Sequence, residues 1–229
     1  MSLKTHMYDN YEVGLDEAGR GPCFGRLYVA GVVWPKDNTS PPSFITDSKA
    51  LSPSKLEQAY HYINDNIPMC DRWISYSEVE EVNQLGPLKA DMKALHRCLD
   101  LFPQCPEHIL MDGNYFKPSY SRNNQSVPHT TVVKGDSKYY SIAAASILAK
   151  YCRDQYIREL CHQYPLLTHR YGILTNKGYL TSEHQKGINN YGISEYHRHN
   201  YKCCRDKNQL TVKSKIKPVI RLKQNNVKE

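Results

Sequence analysis

Residues 12–22, Glu-Val-Gly-Leu-Asp-Glu-Ala-Gly-Arg-Gly-Pro, constrain this chain more than any other stretch. An apolar run of strand character ends in two adjacent carboxylates, Asp16 and Glu17. A glycine-rich turn follows, with Arg20 between Gly19 and Gly21. Carboxylates at a strand end suit hard cations. Glycines let a backbone come close to another polymer, and one arginine offers a planar fork for phosphate. These residue types point to a metal-dependent enzyme acting on nucleic acid. They require further carboxylates and a basic surface elsewhere in the chain.

The pattern downstream alternates strands and helices. Residues 11–16 read as a short strand, and residues 27–34 (Leu-Tyr-Val-Ala-Gly-Val-Val-Trp) as a strong one. The turn between them is short enough for an antiparallel hairpin. Ser52 can cap a helix whose first position is Pro53 and which runs to about residue 66. Residues 72–76 form a third strand. Ser77-Glu78-Val79-Glu80 has the form of a capping box for the next helix, which Gly86-Pro87 interrupts before a second stretch over 88–101. Residues 108–111 make a fourth strand ending at Asp112-Gly113. A polar loop spans 114–128, and residues 130–134 make a fifth strand ending at Gly135-Asp136. A long helix with an alanine-rich start then covers Ser141 to about residue 163. A hairpin followed by crossovers predicts an α/β fold, a mixed five-stranded sheet flanked by helices, with a C-terminal helical and loop extension.

Three strand ends therefore carry acids: Asp16-Glu17, Asp112 and Asp136. If strands one, four and five are parallel neighbours, the four groups converge at one edge. Clustered carboxylates raise one another's pKa unless a cation neutralises them. Mg²⁺ keeps several waters and shares substrate phosphates, and two ions suit phosphodiester hydrolysis. Asp136 precedes the long helix, whose positive end is expected to favour its ionised form. Successive strand residues face opposite sides, so Asp16 and Glu17 are expected to serve one site only if the strand bends there. The glycines at 14, 19, 21 and 25 fit neither a P-loop nor a dinucleotide fingerprint.

Charge supports the nucleic-acid reading. The formal net charge is +7, and nine basic residues from Lys202 onward against Asp206 and Glu229 account for all of it. A basic second half and tail fit a phosphate backbone. At 229 residues and 40% hydrophobic content the chain supports one large core. No apolar run is long enough to span a bilayer, and the first residues lack an export signature. The eight scattered cysteines do not form a disulfide framework, so a reduced, intracellular and cytoplasmic chain is expected. The adjacent Cys203 and Cys204 lack the ligand spacing of a zinc site.

Several blocks together are specific. Asp16-Glu17-Ala18-Gly19-Arg20-Gly21-Pro22 resembles the signature of type 2 ribonucleases H, ribonuclease HII in particular. The likeness continues through Asp47-Ser48-Lys49-Ala50-Leu51-Ser52, Met111-Asp112-Gly113 and Val133-Lys134-Gly135-Asp136-Ser137-Lys138. Ala143-Ala144-Ala145-Ser146-Ile147-Leu148-Ala149-Lys150, Tyr171-Gly172, Asn176-Lys177-Gly178-Tyr179, Glu183-His184 and His197-Arg198 complete it, over roughly residues 11–200. The resemblance implies a ribonuclease H-like fold. It implies hydrolysis of the RNA strand in RNA–DNA hybrids and incision 5′ of a single ribonucleotide in duplex DNA, with two Mg²⁺ or Mn²⁺ ions. Carried over by motif, Asp16, Glu17, Asp112 and Asp136 hold the metal. Gly19-Arg20-Gly21 reads the ribose 2′-OH, the chemical mark of RNA. Tyr179 stacks on the next deoxyribose, Lys49 contacts phosphate, and Lys177 serves phosphate contact or salt bridging.

The chain also departs from the family. Residues 23–28, Cys-Phe-Gly-Arg-Leu-Tyr, stand where smaller residues and a proline are usual, and Arg26 there adds a phosphate contact or is merely exposed. The 114–128 loop is long. His184 and His197 read as structural hydrogen-bonding groups. The Lys-Gly-Asp-Ser-Lys block resembles single-chain bacterial enzymes, implying a monomer without partner subunits. The catalytic domain is expected over 1–208, with a substrate-binding segment from about 165, and 209–229 form a basic tail. Two other readings remain: a catalytically silent hybrid-binding protein, which gains nothing from acids facing phosphate, and another nuclease of the same fold, which leaves the Gly-Arg-Gly turn unexplained.

Overall fold

Continuous burial along the first two strands, which leaves neither face to solvent, sets the architecture. In the computed structural model, which describes residues 3–36 and 41–207, β1 (Glu12–Ala18) and β2 (Leu27–Val32) pair antiparallel. β3 (Arg72–Ser77) pairs antiparallel with β2. β4 (His108–Asp112) adds parallel to β1. The 114–128 segment contains a small hairpin, β5 (Ser121–Arg122) with β6 (Gln125–Ser126). β7 (His129–Val132) then adds parallel to β4, giving the sheet order β3-β2-β1-β4-β7. The three acid-bearing strands are thus parallel neighbours. The register Leu15↔Met111 and Asp112↔Val132 brings their C-terminal ends level.

Helices cover both faces. α1 (Pro53–Asn66) is capped by Ser52, whose hydroxyl accepts from the Lys55 N–H. α2 (Val79–Leu85) and α3 (Pro87–Asp100) follow. Leu95 and Leu99 of α3 pack against Val13, Leu15 and Val29 on one face. Each such buried leucine contributes roughly 1.5–3 kcal/mol. α4 (Tyr140–Gln163) covers the other face, its Ala143, Ala144 and Ala145 buried with Tyr28 and Ala30. It crosses β1 so closely that a Cβ on Gly14 would lie 2.5 Å from the Ser141 carbonyl carbon. α5 (Pro165–Tyr171), α6 (Ile173–Asn176) and α7 (Ser182–Tyr191) share the core of α4 through Leu167, Ile173 and Ile188. No helix among the described residues is long and apolar enough to cross a membrane. The tail at 209–229 lies outside the described residues.

Some local expectations fail for tertiary reasons. Ser77 does not cap α2: it remains in β3, buried, and its hydroxyl donates to the Ala90 carbonyl (2.9 Å) while Glu78 takes the cap position without a side-chain bond. β1 runs two residues past Asp16, paired to Ala18↔Tyr28. β7 ends at Val132, and Lys134 turns in the left-handed region (φ 56°). The polar 114–128 loop is anchored by buried Phe116, Tyr120 and Val127.

Candidate metal and nucleic-acid site

The end of β1 places its two acids on opposite faces. Gly14 and Asp16 face α4, whereas Val13, Leu15 and Glu17 face α3. The anticipated bend is absent, and the acids instead flank the strand end from both sides. Asp16 is buried. Burial first, then the charges of Glu17 and Asp112, push its carboxyl well above the ordinary range, while Ser146 of α4 and the Glu17 N–H (2.7 Å) favour its ionised form. Glu17 is pushed up to about 7, by burial and then by Asp91 and Asp112, with Arg20 opposing. Asp112 closes β4, and its Oδ1 accepts from the Gly135 N–H at 2.7 Å, tying two strand ends together.

Asp136 sits in a 3₁₀ turn, Gly135–Ser137, ahead of α4. Its carboxyl is raised, by burial and then by Asp47 and Asp112, with Lys49 opposing. The expected helix-end effect is thus outweighed, since desolvation and neighbouring acids act at closer range. Lys49 is raised in turn: burial works against its charge, but Asp16, Asp136, Asp47 and Asp112 outweigh it.

Four acids held in mutual repulsion form a hard-oxygen donor set that a divalent cation would neutralise. No three of them have ligand atoms all within 4.8 Å of one another among the described residues. That spacing fits ions that keep waters and share phosphate oxygens better than an all-protein cage.

Beside the acids lies a cleft of about 530 Å³ lined by Glu17, Gly19, Arg20, Gly21, Lys49, Lys177 and Tyr179. Asp16, Asp112 and Asp136 lie outside its lining. Gly19 has φ +94° and lies so close to Arg153 that no side chain fits between them. The Tyr179 ring is 53% exposed and stands 3.6 Å from where a Cβ on Gly21 would be, so it flanks the turn with a free face. Arg20 does not project freely: its guanidinium pairs with Glu17 (3.1 Å) and Asp91 (3.3 Å). Its carbonyl accepts from the Tyr201 hydroxyl and from Arg198. Lys177 adopts φ 53°, its carbonyl accepts from Arg153 at 2.9 Å, and the residue lines the cleft.

Other residues resolve differently from their sequence readings. Arg26 is neither exposed nor free for phosphate. It makes two bonds to Glu78 (2.6 and 2.9 Å) and lies over the Tyr76 and Tyr156 rings. His184 and His197 are buried and bonded to each other through Nε2 at 3.0 Å. Burial, then His184, lowers His197 to about 3, so its ring is neutral. Its Nδ1 accepts from the Ser194 N–H, its Nε2–H donates to His184, and His184 Nδ1–H donates to the Tyr179 carbonyl (3.0 Å). The pair holds the backbone of Tyr179.

Three neighbours escaped sequence reading. Asp91 of α3 is fully buried, with one oxygen on Arg20 and the other unpartnered, and is raised to about 7 by burial, with Arg20 opposing and Asp16 reinforcing. Buried Arg153 links the carbonyls of Phe24 and Lys177 under the Gly-Arg-Gly turn. Asp47 lies beside Asp136, and its charge raises the Asp136 carboxyl. The Asp47 signal stood inside a recognised block, whereas Asp91 and Arg153 carry ordinary helical spacing.

Comparison with known proteins gives a consistent picture. The family model for Ribonuclease HII matches residues 13–204. A Ribonuclease HII of Parabacteroides distasonis is 42% identical over 192 residues, covering 82% of this chain and 87% of the relative. One from Christiangramia forsetii is 36% identical over 193 residues, covering 84% and 91%. Among solved structures, the ribonuclease H2 of Pyrococcus horikoshii shares the fold at a TM-score of 0.68 and 22% identity, covering 84% of this chain and 94% of that one. A Bst-RNase HIII solved with Mn²⁺ does so at 0.62 and 19%, covering 84% and 67%. With strand-end acids, glycine turn and family match spanning the same residues, this chain belongs to the ribonuclease HII family and is a type 2 ribonuclease H, an endonuclease.

Proposed function

We propose that this protein hydrolyses the RNA strand of RNA–DNA hybrids and incises 5′ of single ribonucleotides in duplex DNA, acting as a single chain. The observation that carries this reading is the juxtaposition of Glu17 with the Gly19-Arg20-Gly21 turn, Tyr179 and Lys177 along one cleft. Asp16, Glu17, Asp112 and Asp136 would hold Mg²⁺ or Mn²⁺ there. Two such ions supply an activated water and stabilisation of the leaving oxygen.

The remaining work falls to the chain. Main-chain groups of the turn approach the sugar closely because Gly19 and Gly21 carry no side chain, and a 2′-OH gives them a partner that deoxyribose lacks. The exposed face of Tyr179 is a stacking platform for the following sugar, held by the histidine pair behind it. Lys49 and Lys177 bring positive charge to phosphates on either side. Arg20, held between Glu17 and Asp91 and about half exposed, would turn the free part of its fork to a phosphate.

The test is a DNA duplex carrying one ribonucleotide, incubated with Mg²⁺ or Mn²⁺ beside an Asp16→Asn control. Incision 5′ of the ribonucleotide, leaving 5′-phosphate, is expected, and its loss in the control. Equal cutting of all-DNA duplex, or binding without incision, would sink the reading. Light scattering at working concentration checks the single-chain state.

A further inference from the structure

Three thiols from opposite ends of the chain meet behind the Gly-Arg-Gly turn. The sulfurs of Cys23, Cys203 and Cys204 all lie within 4.8 Å of one another, and all three cysteines are free. Arg198 fixes the meeting point. Its main-chain N–H donates to the Cys23 carbonyl at 2.8 Å, and its guanidinium donates to the carbonyls of Pro22 (2.7 Å) and Gly25 (2.9 Å). Cys23 and Cys204 are buried, while half-buried Cys203 opens onto a cleft shared with Gly21 and Tyr201.

The spacing suits a metal. The Cys203 and Cys204 sulfurs are 3.7 Å apart. Two sulfurs on one tetrahedral zinc, with bonds of about 2.3 Å, stand about 3.8 Å apart. That edge is already formed, and closing the other two requires a movement of at most about 1 Å. A disulfide is the competing fate of close thiols. Adjacent cysteines suit it poorly, because consecutive Cα atoms lie about 3.8 Å apart and a disulfide prefers at least about 4.4 Å. A bond from Cys23 to either partner would strand the third sulfur, whereas a thiophilic cation uses all three.

Charge is a second, independent pointer. Arg198 is fully buried, its Nη2 has no hydrogen-bond partner, and no carboxylate lies within 4 Å of it among the described residues. Three thiolates around a divalent ion leave one net negative charge, the counter-charge this cation lacks. His184 Nδ1 is 4.0 Å from the Cys23 sulfur, but both its ring nitrogens are engaged by Tyr179 and His197. The fourth position therefore falls to water or an external ligand.

We propose that Cys23, Cys203 and Cys204 bind one thiophilic divalent cation, Zn²⁺ by its chemistry, at a site separate from the carboxylates. Binding releases the thiol protons to solvent and clamps the C-terminal segment to the Gly19-Arg20-Gly21 turn. The test titrates reduced full-length protein with Cd²⁺ in excess Mg²⁺, which occupies the carboxylates. Ultraviolet thiolate-to-metal charge transfer and protection of thiols from a disulfide reagent are read together. One equivalent is expected to saturate the band and protect three of the eight thiols, with Zn²⁺ displacing Cd²⁺. Cys203→Ser, at the half-buried position, is expected to weaken binding at least tenfold. Cys70→Ser, at an exposed and separate position, is expected to leave it unchanged. The proposal is overturned by a folded parent protein with no charge-transfer band. It is equally overturned by Cys203→Ser and Cys23→Ser variants binding Cd²⁺ as tightly as the parent, or by intact-mass and peptide mapping that show Cys23 oxidised to Cys203 or Cys204 in protein purified without reductant.

Discussion

Asp91 shows how one buried carboxylate governs a turn it does not belong to. It holds Arg20 at 3.3 Å while its other oxygen has no partner. Removing its charge relieves a buried anion but loosens the arginine and the turn around it. Asp91→Asn is therefore expected to raise the melting temperature of metal-free protein at about pH 8, and to lower kcat/KM on ribonucleotide-containing duplex by roughly tenfold. Thermal scans and steady-state kinetics on one preparation check both halves. The acids also predict a pH response. Glu17, raised to about 7, and Asp16, raised well above its ordinary range, favour the protonated folded state. Their stabilisation is fully present below the ordinary carboxylate pKa and is lost as pH rises through about 7. Metal-free protein should thus melt lower at about pH 8 than at about pH 6, and Glu17→Gln should flatten that dependence. Added Mg²⁺ binds the deprotonated acids, so its stabilising effect should be larger at the higher pH. Equal Mg²⁺ shifts at both values would contradict the assignment.

At the scale of elements, the contact between β1 and α4 decides where the acids sit. Gly14 lets the helix cross the strand directly, and Ser146 of the same helix then reaches Asp16. A methyl group at position 14 would meet Ser141 backbone at 2.5 Å, which no rotamer change relieves. Gly14→Ala should cost about 1–3 kcal/mol in urea unfolding, as overpacked cores do. It should also reduce incision more than Leu99→Ala, a cavity variant of comparable or larger destabilisation on the opposite face. Element types were largely legible in the sequence, because apolar β-branched runs, Ser52-Pro53 and Gly86-Pro87 are local signals. The Ser77 cap fails because the Ala90 carbonyl claims its hydroxyl, and the 114–128 segment is a loop as read, but one whose Phe116, Tyr120 and Val127 anchor it in the α3-side core, which only the distant packing partners decide.

At the scale of the molecule, charge and connectivity divide between what is local and what is assembled. The basic residues of 209–229 are a property of the sequence alone, and lysines near a duplex release counterions. Deleting 209–229 should weaken duplex affinity and flatten its salt dependence while incision persists, and an unchanged salt slope would mean that the tail does not touch nucleic acid. By itself the sequence determined the strand-end acids Asp16, Glu17, Asp112 and Asp136, the Gly19-Arg20-Gly21 turn and the α/β order, because each depends on short-range pattern. Only the tertiary structure decided that Asp16 and Glu17 flank β1 from opposite faces, that Arg20 pairs with Asp91, that Arg26 is spent on Glu78, and that Cys23 meets Cys203 and Cys204. Those facts depend on which distant surfaces pack together, and desolvation at such contacts sets the strength of every charge they enclose.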